Sequence, residues 1–210
     1  MEYKRQITCK YTLLIVLLLL GLKSFSQTDK VYFIPDSLKG KSYKEIYNLG
    51  VQAIEKNDIE EKLFYAKVYL HKAKNEKDTI KIANGYTQYI NVSEDKVGNK
   101  YADSIIVLTK YINHHVYPGF GYMLKGMNYY NLSEYNKSIN NFLVAQDYAM
   151  KNNNEQQLYY INNGMGEIKL FWGDYNEAVA HFKLLLRYLT KNNKSLFDKG
   201  NYFLTDRKSV

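Results

Sequence analysis

His114 and His115 stand side by side near the middle of the chain, and His71 and His181 are the only other imidazoles. A bound zinc needs three or four N, S or O ligands converging within about 2.0–2.3 Å. Adjacent helical residues point in different directions, and no third ligand of suitable type follows nearby. His71 and His181 fall on separate predicted helices. All four therefore read as structural or surface histidines. Gly119-x-Gly121 follows Pro118 and precedes a predicted helix, where a phosphate loop could sit. It lacks a preceding strand, a further glycine and the Lys-Ser/Thr that would hold phosphate. No Ser or Cys stands in a nucleophile elbow. The expectation is a non-enzymatic chain with no catalytic residue, metal or cofactor.

Tyrosine is used 22 times, and many of these positions lie on predicted helices. Core packing between helices accounts for most of them. The remainder suit a contact surface, since tyrosine combines large apolar area with a polar tip.

The elements that position these side chains repeat. The stretch Gly166 to Tyr188, shifted back by one repeat period, lands on a second copy: Gly166 on Gly126, Tyr175 on Tyr135, Asn176 on Asn136, Phe182 on Phe142 and Tyr188 on Tyr148. Asp174 falls on Glu134, Ala178 on Ser138 and Val179 on Ile139. A period of about 40 residues marks stacked helical repeats. Each copy predicts two helices joined at Gly173-Asp174 or Ser133-Glu134. Their close crossing requires small residues facing each other, Gly166 with Ala178 and Gly126 with Ser138. Val179, Phe182, Leu185, Leu186 and Leu189 then form one apolar stripe at helical spacing.

These residues resemble the tetratricopeptide repeat. Gly166, Gly173-Asp174-Tyr175, Ala178 and Phe182 match its small residue, turn, second small residue and aromatic. The copy at Gly126 departs at Ser133 and Ser138, and both lack the aromatic-x-x-Leu-Gly opening, with Lys125 and Met165 before the glycines. The resemblance implies an all-α superhelix of antiparallel helix pairs, an α-solenoid. It also implies a concave groove lined by first helices, carried here by Tyr86 and Tyr89, by Met123, Met127 and Tyr130, and by Asn163, Glu167 and Leu170. The expected occupant is a protein or peptide segment.

Taken in order, residues 1–26 read as a signal peptide. Lys4, Arg5 and Lys10 precede the aliphatic run Leu13 to Leu20, and Ser24-Phe25-Ser26 offers small residues before a cut at Gln27. The run from Tyr11 to Leu22 is shorter than the about 20 apolar residues of a membrane span. Export, into the periplasm or beyond, with no span left after cleavage, is the expectation. Cys9, the one cysteine, leaves with the signal, so packing alone must stabilise the rest. The signal carries four basic residues against one acidic, so the net charge of +8 falls to +5. The remaining lysines are scattered among acids as a solvated face rather than a nucleic-acid surface.

A loose lead-in is expected over residues 27–41. The repeat array then runs over residues 42–210, opening at the capping box Ser42-x-x-Glu45. The first pair is Tyr43 to Glu55 and Glu60 to Lys74, turning at Asn57-Asp58. The second is Thr79 to Val92 and Val97 to Asn113, turning at Ser93-Glu94. Gly50, Gly85, Gly126 and Gly166 step along the chain, the last two intervals longer than the roughly 34 residues of a minimal repeat. Pro118-Gly119 breaks the middle. Leu196 to Thr205 reads as the first helix of an incomplete fifth repeat, which leaves a core face open to association.

Tyr65-Ala66-x-x-Tyr69-Leu70-x-Lys72-Ala73-Lys74, followed by Asp78-Thr79-x-Lys81-Ile82-Ala83-x-Gly85-Tyr86, also resembles a second family. It is similar to the periplasmic sensory half of bacterial membrane regulators that carry an AraC-type helix-turn-helix domain. That resemblance implies a sensory or interaction role in signalling, without direct nucleic-acid binding by this chain. The alternative is an envelope scaffold docking a partner through its C-terminal end.

Overall fold

The computed structural model describes residues 33–191, so the signal segment and Leu196–Thr205 lie outside the described residues. Among the described residues nine helices follow one another, with no strand. They are α1 (Asp36–Lys39), α2 (Tyr43–Glu55), α3 (Ile59–Asn75), α4 (Thr79–Ile90) and α5 (Asp95–Thr109), then α6 (Gly119–Asn131), α7 (Tyr135–Lys151), α8 (Glu155–Phe171) and α9 (Tyr175–Lys191). From α2 onward each helix packs on the next, and α6 also touches α8.

One local device ends most of these helices. Asn57, Lys77, Ser133, Asn153 and Gly173 adopt left-handed φ values of 58°, 55°, 59°, 50° and 80°. At each, the following N–H reaches back to the fifth residue before it: Asp58 to Ala53, Asp78 to Ala73, Glu134 to Tyr129, Asn154 to Ala149 and Asp174 to Lys169, at 2.8–3.1 Å. This is the Schellman closure, which satisfies carbonyls the helix end would leave bare. The residue after the left-handed one then starts the next helix. Asp58, Asp78 and Asn154 accept the N–H groups of Glu61, Lys81 and Gln157. Ser42 and Glu45 complete the capping box at α2. Each such cap stabilises its helix by about 1 kcal/mol.

The left-handed positions 57 and 77, and again 133, 153 and 173, recur at one constant step, half of the repeat period. Ser93 falls one such step before Asn113 and two before Ser133, but about one helical turn short of a step after Lys77. The shortening lies in α4, which has 12 residues where α3, α7, α8 and α9 have 17. Aligned on the turns, Gly50, Gly126 and Gly166 share a position whose fourth member is Tyr86. Gly85 is displaced by one. Its missing side chain faces Leu70 of α3, 3.0 Å from where a Cβ would stand. The small-residue assignment at Gly85 is thus corrected to a contact with the preceding pair.

The aligned positions also show how volume is shared. A Cβ on Gly126 would meet the Phe142 ring at 2.6 Å, and one on Gly166 the Phe182 ring at 2.7 Å. The glycines therefore accommodate these rings as well as the small residues that face them. Tyr86 has Ala102 at the ring's position, and the two belong to one cluster with Ala83, Ile90, Ile105 and Leu124. Ser138 and Ala178 are buried one turn before their aromatics, and the Ser138 hydroxyl donates to the Gly126 carbonyl at 2.8 Å. The serine thus adds a bond between its two helices that an alanine could not.

Three further expectations change. On α9, Leu185 and Leu189 are buried, but Val179 and Leu186 are 50% and 55% exposed, so the apolar stripe is narrower than its spacing implies. Part of the lead-in is anchored: Leu38 of α1 is buried with Ile46, Val68 and Tyr69. His71 donates to the Phe33 carbonyl. The last helix of the second pair stops at Thr109, and residues 110–118 connect it to α6.

Candidate functional site

The first helices of the first two pairs, α2 and α4, and the start of α6 border one cleft of about 480 Å³. Its aromatic wall is Tyr43, Tyr47, Tyr69, Tyr117 and Phe120. Tyr43 and Tyr69 meet with ring centres 4.7 Å apart, and Tyr117 meets Phe120 edge-on at 6.0 Å. Along α4 the cleft is edged by Asn84, Thr87, Gln88 and Asn91, a polar stripe at helical spacing. Lys44 and Lys81 supply the formal charges of the lining.

Hydrogen bonds fix this wall. Tyr117, 3% exposed, donates its hydroxyl to Asn84 Oδ1 at 2.7 Å. Burial pushes its phenol up to about 12. Asn84 also bonds the Tyr69 hydroxyl, whose pKa burial raises. Tyr43 donates to Glu76 at 2.7 Å, and burial with that carboxylate pushes its phenol well up. Tyr43, Tyr69 and Tyr117 thus stay neutral at physiological pH. Lys81 stands 5.1 Å from the centre of the Tyr43 ring, where the π face attracts the ammonium.

The paired histidines belong to this wall's support. Nδ1 of His114 accepts the N–H groups of Val116 and Tyr117 at 3.1 and 3.4 Å. Asn152 and Asn154 donate to the carbonyls of His114 and His115, and Gln157 donates to that of Val116. Burial, then neighbouring His115, lowers the His114 pKa. Gly119 and Gly121 lie buried against Tyr148 and Ile106, where a Cβ would collide at 2.7 and 2.8 Å. Among the described residues no group of three His, Cys, Asp or Glu side chains could hold a metal ion.

The residues expected to line a groove fall into different places. Met123 and Met127 are 2% and 9% exposed and sit in the core with Phe142, Ile161 and Met165, so both are corrected from groove to core. Tyr86 and Tyr89 turn toward α5, Tyr86 stacking on Tyr101 at 5.8 Å and Tyr89 meeting it tilted at 5.1 Å, and burial pushes Tyr89 up to about 12. Tyr130 bonds Glu167, and Asn163 donates to the same carboxylate at 3.1 Å, which ties α6 to α8. Leu170 is half exposed beside Phe171 and Trp172. The Asn84-Thr87-Gln88-Asn91 spacing was the signal available in the sequence.

The chain matches no protein-family model, no curated protein and no solved structure. No helix among the described residues is long and apolar enough to cross a membrane.

Proposed function

We propose that this chain is a non-catalytic tetratricopeptide-type α-solenoid that holds an extended polypeptide segment in the cleft between α2 and α4. The observation that carries the reading is the amide stripe of α4 above an aromatic wall. An amide side chain offers both a donor and an acceptor, as each peptide group does. On a helix rising about 1.5 Å per residue, Asn84, Gln88 and Asn91 are spaced about 6 and 4.5 Å along the axis. Alternate peptide groups of an extended strand recur every about 6.6 Å. The tyrosines supply contact area for side chains of such a segment at low entropic cost. Lys44 and Lys81 favour carboxylates in it. The chain in this reading is exported and serves as the sensory or interaction part of an envelope signalling system.

Peptide capture from a periplasmic extract tests the proposal, with Gln88→Leu and Asn91→Leu as the competing baits. Capture by the wild type, lost in both variants while their helical content is unchanged, supports it. Equal capture by all three baits rejects the groove. The scaffold alternative draws on a different observation, the exposed Val179, Leu184 and Leu186 of α9.

A further inference from the structure

We infer that His114 makes the cleft between α2 and α4 sensitive to acid, releasing a held segment when its imidazole takes up a proton. The inference rests on the reading of that cleft as a polypeptide groove and adds how the groove is emptied.

The connection between α5 and α6 supplies Val116 and Tyr117 to the cleft, and the start of α6 supplies Phe120. The turn that presents them closes on one atom. Nδ1 of His114 accepts the N–H of Val116, two residues on, at 3.1 Å, and that of Tyr117 at 3.4 Å. An Asn or Asp oxygen plays this part in an Asx turn, and neither loses its acceptor near neutral pH. An imidazole does. Once protonated, Nδ1 is a donor and faces two other donors. The loss is passed along the wall, because Tyr117 donates to Asn84, which also bonds the Tyr69 hydroxyl. One turn thus holds the amide stripe of α4 to its aromatic wall.

The surroundings favour the neutral ring. On its own segment His115 lies against it with ring centres 4.6 Å apart, and Tyr117 at 5.5 Å. The α7–α8 turn meets the segment with neutral amides, Asn152 on the His114 carbonyl and Asn154 on that of His115. The charged residues flanking these amides are Lys151 and Glu155, and Glu155 pairs with Lys191. From α4 the segment meets the uncharged Asn84. Burial, then His115, lowers the His114 pKa from 6.5, and no carboxylate is among its causes. The turn is therefore closed above the folded value and opens as pH falls through it. By linkage, an occupant that needs the closed turn holds His114 neutral and lowers its pKa further.

Peptides from a digested periplasmic extract serve as the probe, loaded on the immobilised full chain at about pH 7.5 and stepped to about pH 5. The wild type should lose most of the retained peptide on the step. His114→Asn keeps an acceptor oxygen that does not titrate and should hold the peptide at both values. His115→Asn removes the neighbour that lowers the His114 pKa, so release should begin at higher pH. His181→Gln should leave the release unchanged, which separates it from acid weakening of the whole fold. NMR of the unliganded chain reads the turn directly. The Val116 and Tyr117 amide shifts should follow the His114 ring titration, and their protection from exchange should fall with it. Amides that ignore that titration overturn the inference, as does release from His114→Asn equal to that from the wild type. Wild-type retention at both values overturns the switch alone. No retention by any variant at about pH 7.5 overturns the groove and the switch together.

Discussion

Phe142 lies where the side chain of Gly126 would be: a Cβ on that glycine would stand 2.6 Å from the ring. Gly164 of α8 approaches the other edge of the same ring, at 2.7 Å from its own absent Cβ. The ring is 1% exposed and so joins α6, α7 and α8 through two missing side chains.

Two glycine substitutions should therefore move stability in opposite directions. Alanine in a helix interior is favoured over glycine by about 1 kcal/mol. At Gly50 the nearest side-chain atom is 3.7 Å from the added Cβ, so Gly50→Ala should stabilise by about 0.5–1 kcal/mol. At Gly126 the ring must shift, and overpacking of about 1–3 kcal/mol outweighs the helical gain. Chemical denaturation of the two variants checks the signs. A stabilised Gly126→Ala would mean that the ring moves freely.

Gly166→Leu belongs to the same class and is expected to be worse, since a branched side chain meets Phe182 from the first atom. Lys169, one turn away, pairs with Glu177 and Asp174 at the surface. Its replacement by alanine should cost about 0–1 kcal/mol. Thermal melts in which the two variants match would contradict the helix register.

Gly173 separates backbone strain from packing. Its φ is 80° and nothing lies within 4 Å of an added Cβ. Gly173→Ala should still cost about 1–2 kcal/mol, the penalty of a left-handed L-residue. At Lys77, already left-handed with φ 55°, Lys77→Gly should be neutral or stabilising. Urea midpoints of the pair distinguish this from a loop that tolerates any residue.

Tyr117→Phe removes the donor to Asn84 and leaves a half-buried amide oxygen short of one partner. A loss of about 1–3 kcal/mol is expected. Binding in the α2–α4 cleft should weaken with it, because Asn84 also holds Tyr69. Unchanged stability would show that water replaces the phenol at no cost.

Acid should weaken the fold through two histidines. Burial lowers the pKa of both His114 and His181 below the ordinary value of 6.5. Nδ1 of His114 is an acceptor for backbone N–H groups, so protonation there also breaks those bonds. The unfolded chain takes up these protons first, which makes stability rise with pH across the window. The contribution is complete above about pH 6.5 and is lost as pH falls through that value toward the folded one. Urea midpoints should be lower at pH 5.5 than at 7.5, and His114→Gln with His181→Gln should flatten the difference. A midpoint that rises on acidification would reverse the assignment.

How much of this could be read in advance follows from what is local. The capping box at Ser42, the turns at Asn57, Ser93, Ser133 and Gly173 and the helix Tyr43–Glu55 rest on contacts within five residues, and sequence determined them by itself. The repeat period did so too, because two copies carry the same local chemistry. What only the tertiary structure decided was which neighbour each side chain meets. Met123 and Met127 occupy positions that a groove or a core could equally use, and the packing of α7 and α8 against them made them core. Gly85 matched a pattern position by its spacing, but the packing of α4 on α3 sets it against Leu70. Asn84, Gln88 and Asn91 became the edge of a cleft because α2 and α6 flank that face of α4. Such partners lie on other elements, as far away in the chain as Tyr117 is from Asn84, 33 residues, and no local spacing encodes that distance.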